Sequence, residues 1–575
     1  MNDISYCSLV LEALRPKRYV TGLLLALASP LVFAAPPPTP PPTVPDAGTI
    51  LQQVQPVIPP PTPSSGTGLT IEPEPGANVP PTAPFLVRSI QIVGNVRVDT
   101  ATLHALVADA EGQSLTLAQL HERVVRITRY YQTHGYPLAR AIIPQQIMEA
   151  GNVRIEIIEA RYGKVVAQNT SRVRDPLIDA TLSSLQSGQV ITQDALDHAL
   201  LLLSDLPGVA ANATLKPGEA VGTSDLLVEA TPLPMVSGSV AADNFGNRFT
   251  GRARLAGTLN IIDPLRQGDT FTLSGLTSGS DMKYGRLGYD AVLNGEGTRI
   301  GVGYSALSYK LGNPLSALEA HGTAEVASVW AKQPLIRTAD VNVYGQLQYD
   351  NLKLDDHIDA SAIKTDRHVN EGTASLLGDA RDAWLTGGVT SWTASLTSGE
   401  LGFDNGAAQR ADGATARTEG HYMKWNAALY RLQNIGAANS LYLDVSGQWA
   451  NSNLDSSQKV QAGGPYTVRA YDMGAIAGDT GYQETVEFRH VLAAAWQGRW
   501  QTLVFLDSAQ VTINKNSTVP GKNTATLSGA GVGLNWIGPY AWSAKTYLAT
   551  PLGSAPTLVA DSSSVRLWVE FSKGF

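Results

Sequence analysis

Cysteine is almost absent from this 575-residue chain: its one example, Cys7, precedes the first hydrophobic run. Disulfide frameworks, thiolate metal sites and cysteine nucleophiles are excluded for everything beyond that point. Charge is scarce as well. Asp, Glu, Lys and Arg make up 16% of the residues, against roughly 25% in ordinary soluble domains. The formal net charge of −8 is spread thinly, with no basic stripe of the kind that meets nucleic acid. Beyond the N-terminal region no run of uninterrupted apolar residues is long enough for a spanning helix. Proline is unevenly placed, with 17 of the 34 lying between Pro36 and Pro84.

What is present begins with Arg15, Lys17 and Arg18, then the apolar stretch Tyr19 to Phe33 and the small pair Ala34-Ala35. A basic start, a short apolar core and small residues at its end predict a secretory signal peptide over residues 1–34. The apolar stretch is shorter than the ~20 residues an anchor needs. Export without a spanning helix leaves the periplasm, the outer membrane or the outside.

Residues 35–84 read as an extended proline-rich linker. Within it, residues 46–55 are free of proline and predict a short helix that Asp46 would cap. So short a helix is unstable alone and needs something to hold it. From Phe85 the pattern becomes strand, helix, helix, strand, strand. Leu120, Val124, Ile127 and Tyr131 recur at helical spacing before Gly135 stops the second helix. The plan then repeats, giving two small α+β modules at residues 85–163 and 164–234.

From residue 235 to the end, period-two alternation replaces helical spacing. Leu441, Leu443, Val445 and Trp449 share one face, and Ala530, Val532, Leu534 and Trp536 another. The opposite faces carry Gly, Ser, Asn and Gln, which suits a polar lumen better than the core of a sandwich. At about 20 residues per strand and turn, there is room for about 16 strands. The fold class expected is thus α+β modules followed by a transmembrane antiparallel β-barrel. In the last strand Val565, Leu567, Val569, Phe571 and Phe575 fall on one face, interrupted by Lys573 at the membrane boundary.

No catalytic, cofactor or metal set emerges. Gly529-Ala530-Gly531-Val532-Gly533 lies inside a strand with no helix after it, unlike a dinucleotide loop. The nine histidines show no ligand spacing, and His357 and His368 are expected in a polar loop. Asp355, Asp356 and Asp359 lack the periodicity of a calcium loop and read as solvated acidic residues.

In these features the chain resembles the outer-membrane transporters of two-partner secretion, the ShlB/FhaC/HecB (TpsB) type. Asp243-Asn244-Phe245-Gly246-Asn247-Arg248-Phe249-Thr250-Gly251 is similar to the family's first barrel hairpin, and Asp263 to Asp269 to its next turn. Val468-Arg469-Ala470-Tyr471 resembles the VRGY-type tip of the long loop folded into the barrel, with Ala470 where glycine is usual. Phe505-Leu506-Asp507 resembles the partner F-x-D motif on a barrel strand. The resemblance implies a plug helix at 46–55, two periplasmic POTRA domains at 85–163 and 164–234, and a 16-stranded barrel at 235–575. It further implies that Phe571 and the terminal Phe575 act as an assembly signal. The implied partners are an exoprotein client that is unfolded in the periplasm, membrane lipid and the barrel-assembly machinery, with no nucleic acid, nucleotide or cofactor.

Alternation points the same way for one pair. Val504 and Leu506 share one face, Phe505 and Asp507 the other, so Leu506 toward lipid places Asp507 in the lumen. There Arg469 could meet it as a bidentate pair. In a wet channel such a pair contributes only ~1 kcal/mol or less. The alternatives are an assembly factor that inserts other barrels and a passive porin.

Overall fold

A computed structural model describes residues 44–54, 68–71, 82–146, 151–312, 314–492, 497–517, 520–554, 556–559 and 563–575. The signal peptide expected over residues 1–34, and most of the linker, lie outside these. The alternating region closes into a 16-stranded antiparallel barrel in simple sequence order. Outward positions such as Leu255, Val302, Val329, Leu347, Val504 and Leu506 are exposed apolar residues, which only a lipid surround makes reasonable. Closure removes every edge strand.

Closure depends on the first strand, Val236–Asp243, meeting the last, Arg566–Gly574, with Ser239 opposite Gly574 and Asp243 opposite Glu570. The terminal residue extends this seam. Phe575 and Gly238 exchange backbone bonds, each 3.0 Å. A Cβ on Gly238 would stand 2.6 Å from the Phe575 ring, so glycine leaves that ring its place. Phe571 and Phe575 both remain more than half exposed on the outer surface. The Lys573 ammonium bonds the Gly574 carbonyl at 2.7 Å at the rim.

Two α+β modules precede the barrel. In the first, Tyr131 and the other helical-face residues pack on a three-stranded sheet. The Tyr131 hydroxyl donates to Glu159 (2.9 Å), whose same oxygen also accepts the Val96 and Arg97 amides. In the second, Asp175–Leu182 and Gln193–Ser204 cover the sheet. Its strand Val209–Pro217 has an extra parallel neighbour from the linker, Leu69–Ile71, with Leu69 opposite Ala213. This module is fastened to the barrel mouth. Arg337 forks onto Asp205 with two 2.7 Å bonds, and the Arg172 guanidinium donates to the Asp263 carbonyl at 2.8 Å.

Several strands far exceed the bilayer's ~9–11 residues. Val341–Ile358 has 18 residues and Ile363–Asp382 has 20. His357 and His368 therefore stand on strands that project past the membrane, correcting their assignment to a loop. Asp356 is corrected too. It faces the lumen and is 8% exposed, because alternation on the same projecting strand turns it inward.

Candidate functional site

Two groups of residues occupy the lumen. The first is the plug helix, Ala47–Val54, which lies inside the barrel. Its Ala47, Ile50, Leu51 and Val54 pack in one cluster with Leu307, Val326, Leu352 and Leu354 of the wall and with Leu311 just past a strand end. This apolar stripe is what stabilises a helix too short to persist alone. Gly48 permits close approach, since a Cβ there would come within 2.6 Å of the Ser457 amide nitrogen.

Asp46 caps the helix through the Thr49 amide (2.9 Å), as the sequence suggests. Its second oxygen accepts from Arg367 (2.7 Å) and from the Ser456 hydroxyl (2.6 Å). Burial alone would raise this carboxyl, yet Arg367 beside it, with the Ser456 and Thr49 bonds, holds it below the usual carboxylate range. Arg367 also lies 2.8 Å from Asp455 and 3.2 Å from Asp356. Asp356 in turn accepts the Ala47 amide (2.8 Å) and the Tyr309 hydroxyl (2.6 Å). One guanidinium thus joins the helix start, the barrel wall and the long loop. Along the helix, the Gln461 amide donates to the Thr49 carbonyl and the Gln52 side chain, 3.0 Å each. Asn247, from the first hairpin, donates to Gln53 at 3.1 Å.

The second group is the tip of that loop, which connects the strands Asn439–Ala450 and Thr480–Val491. It returns into the lumen through a small hairpin, Val460–Ala462 with Ile476–Gly478. Val468, Ala470, Tyr471 and Phe505 are all buried together at its tip. The structure brings Arg469 and Asp507 together in three bonds. The Arg469 Nε donates to Oδ2 (2.9 Å), Nη2 to Oδ1 (2.7 Å) and the backbone amide to Oδ2 (3.0 Å). The guanidinium stacks 3.4 Å from the Phe505 ring centroid.

Sequence reasoning missed the rest of this cradle. Glu487 takes the Arg469 Nη1 (2.6 Å) and is itself bonded by Arg489 (2.7 Å). Thr485 donates to Asp507 (3.0 Å), and the Trp568 indole donates to the Arg469 carbonyl (2.7 Å). Lumen-facing parity was the available signal for Glu487, which pairs with Phe505 across neighbouring strands. The wet setting expected for the pair is also corrected. Arg469 is 4% and Asp507 2% exposed, because the loop tip and wall close over them. Loss of one partner of a buried pair costs on the order of 3–5 kcal/mol, because the other charge stays buried.

Alanine at position 470 is accommodated for a definite reason. Its φ is not among the positive ones, whereas Gly463 (φ 100°), Gly464 (φ 117°) and Gly474 (φ 64°) supply the loop's left-handed turns. The space for its methyl comes from the opposite strand, where a Cβ on Gly529 would lie 2.5 Å from the Ala470 Cβ. The first glycine of the run that superficially suggests a nucleotide loop is thus where the tip rests, while Gly531 makes room for the Phe505 ring. Gly529→Ala is expected to loosen the lodged tip. Limited proteolysis should then cut the loop faster, and Gly529→Ala with Ala470→Gly should restore resistance.

Comparison with known proteins places this architecture. Residues 222–536 match the model of the haemolysin secretion/activation protein ShlB/FhaC/HecB, and residues 85–160 that of the ShlB-type POTRA domain. The heme/hemopexin transporter protein HuxB of Haemophilus influenzae is 27% identical over 500 residues, covering 85% of this chain and 87% of that one. The outer membrane transporter CdiB of Escherichia coli is 24% identical over 488 residues, covering 81% and 79%. A solved structure of CdiB from Escherichia coli superposes with a TM-score of 0.68 at 20% identity, covering 89% of this chain and 94% of that one. With its closed 16-stranded barrel in the outer membrane and its POTRA region in the periplasm, the chain belongs to the ShlB/FhaC/HecB family of secretion/activation proteins.

Proposed function

We propose that this transporter exports one large partner polypeptide, taken up unfolded in the periplasm by the modules at 85–163 and 164–234 and conducted through the barrel to the cell surface. Capture works by strand addition, in which the client's backbone pairs with an exposed sheet edge. The observation that carries this reading is the linker strand itself. Leu69–Ile71 lies along Val209–Pro217 in regular register, with the Ala213 amide donating to the Gly68 carbonyl at 3.2 Å. A module edge that accepts one extended segment is chemically suited to another.

At rest the plug and the loop tip fill the lumen, so passage requires the plug to leave and the tip to pass between two defined positions, one of them fixed by the Arg469–Asp507 pair. A lumen closed in this way disfavours a passive porin. The sequence carries no nucleotide loop, so the drive comes from the client folding outside. The apolar outer face meets lipid, and Phe571 and Phe575 at the seam serve recognition by the barrel-assembly machinery.

The test is removal of residues 85–234, followed by assay of secretion of the partner exoprotein co-expressed with this transporter. The barrel is expected in the outer membrane with the client retained inside. Continued secretion would contradict capture by the modules.

A further inference from the structure

At the barrel's extracellular end, its outward surface holds side chains that neither plug nor loop uses. His321 is the second residue of the strand Ala320–Arg337, and His357 the last but one of Val341–Ile358. The register sets them directly opposite each other. Cross-strand partners keep their Cβ atoms roughly 4.5–5.5 Å apart on one face, and here the ring centroids are 5.1 Å apart. Ala320 and Ala324 pack toward the plug, so alternation turns His321 away from the lumen.

Asp359, two residues beyond His357, begins a short helical turn that ends with Ala362 at φ 52°. The His321 Nε2 lies 3.3 Å from the Asp359 Oδ2. One ligand atom from each of His321, His357 and Asp359 falls within 4.8 Å of the other two.

We propose that His321, His357 and Asp359 form a three-ligand site for a borderline divalent cation of the Zn2+ type on the cell surface. Two imidazoles select Zn2+, Cu2+ or Ni2+ over Mg2+ and Ca2+, which prefer all-oxygen shells. Tetrahedral Zn2+ with ligands at about 2.0–2.1 Å sets neighbouring donors roughly 3.3 Å apart. The His321–Asp359 pair already has that spacing. One His357 ring nitrogen already lies within 4.8 Å of the other two donors, and the fourth position is left for water or an incoming donor.

The flanking charges are of both signs. Lys310 stands opposite His321 and Lys364 opposite His357, but Lys364 is paired with Asp366 at 2.8 Å. Asp355 adds a further carboxylate two residues before His357 on the same face. Bound metal would staple the ends of two neighbouring strands, one entered after Glu319 and the other leaving into the turn 359–362.

The experiment is calorimetric titration of ZnCl2 into the untagged full-length protein in detergent, supported by Cu2+ electron paramagnetic resonance. One Zn2+ per chain is expected, and the Cu2+ spectrum should show coupling to two nitrogens. His321→Ala and His357→Ala should each weaken Zn2+ by more than the roughly tenfold lost with a merely supporting group, and each should remove one nitrogen. Asp359→Asn should weaken it less. His368→Ala, which alters a histidine bonded instead to Asp404, should change nothing. The positions lie outside the lumen cluster, His321 and His357 half-buried and Asp359 exposed, so folding is expected to survive, checked by heat-modifiable migration. The absence of saturable binding at millimolar Zn2+, or an affinity unmoved in the His321→Ala/His357→Ala double variant, overturns the site.

Discussion

Arg469→Ala is expected to abolish export of the partner polypeptide while the barrel remains in the outer membrane. Arg469 is held by two carboxylates, Asp507 and Glu487, and by the Phe505 ring. Its removal leaves Asp507 buried without a cation, while Glu487 keeps Arg489, and the loop tip loses its anchor. The estimate of 3–5 kcal/mol for an orphaned buried partner corresponds to a lodged population reduced by a factor of a hundred or more. The barrel itself does not depend on this contact, since its strands are closed by backbone ladders. Arg469→Lys separates charge from geometry. It keeps the cation but lacks the planar fork that spans Asp507 and Glu487 together. Export intermediate between the wild type and Arg469→Ala is the expected result. Secretion at wild-type level from Arg469→Ala, with equal barrel abundance, would show that the lock has no part in transport.

Arg367→Ala should release the plug. Arg367 is the shared cation for Asp46, Asp356 and Asp455, and its side chain is 5% exposed. Without it three carboxylates repel one another around the first residue of the plug helix. The apolar contacts of Ile50, Leu51 and Val54, with the side-chain bonds from Gln461 and Asn247, then have to hold eight helical residues. Planar-bilayer recordings should show a conductance severalfold above wild type. The near absence of cysteine provides a second readout. In a Cys7→Ser background, Val54→Cys is buried against the wall, at 7% exposure for the native valine. It should resist maleimide in the otherwise native protein and react rapidly once Arg367→Ala is added. Equal protection in both backgrounds would show that the plug stays seated without the Arg367 cluster.

These two centres differ in how far the sequence discloses them. Asp507 is legible as lumen-facing because Val504, Phe505 and Leu506 fix the parity of its strand, and a family motif supplies its partner. Asp46 is legible as a cap because Thr49 lies three residues on. Arg367 carries no such signal. It stands in a polar stretch that resembles any surface segment, and its three acidic partners lie 321, 11 and 88 positions away (46, 356 and 455). The assignment of His357 to a loop failed for a related reason. Polar residues mark the end of the membrane layer, which here comes well before the end of the strand.

The alternation of residues 235–575 by itself determined that the chain forms a barrel with an apolar outside, because period-two patterning is a local property that survives without knowledge of neighbours. The helical spacing and turn residues of the preceding segment likewise determined its two α+β modules. What the lumen contains was decided by tertiary structure alone. Barrel closure and register choose which inward side chains meet across the bore, and loop-closure entropy gives no sequence mark of where a distant helix or loop comes to rest. The cluster around Arg367, the Glu487–Arg469–Asp507 cradle and the His321–His357 pair all arise from register, which joins residues that local sequence leaves unrelated.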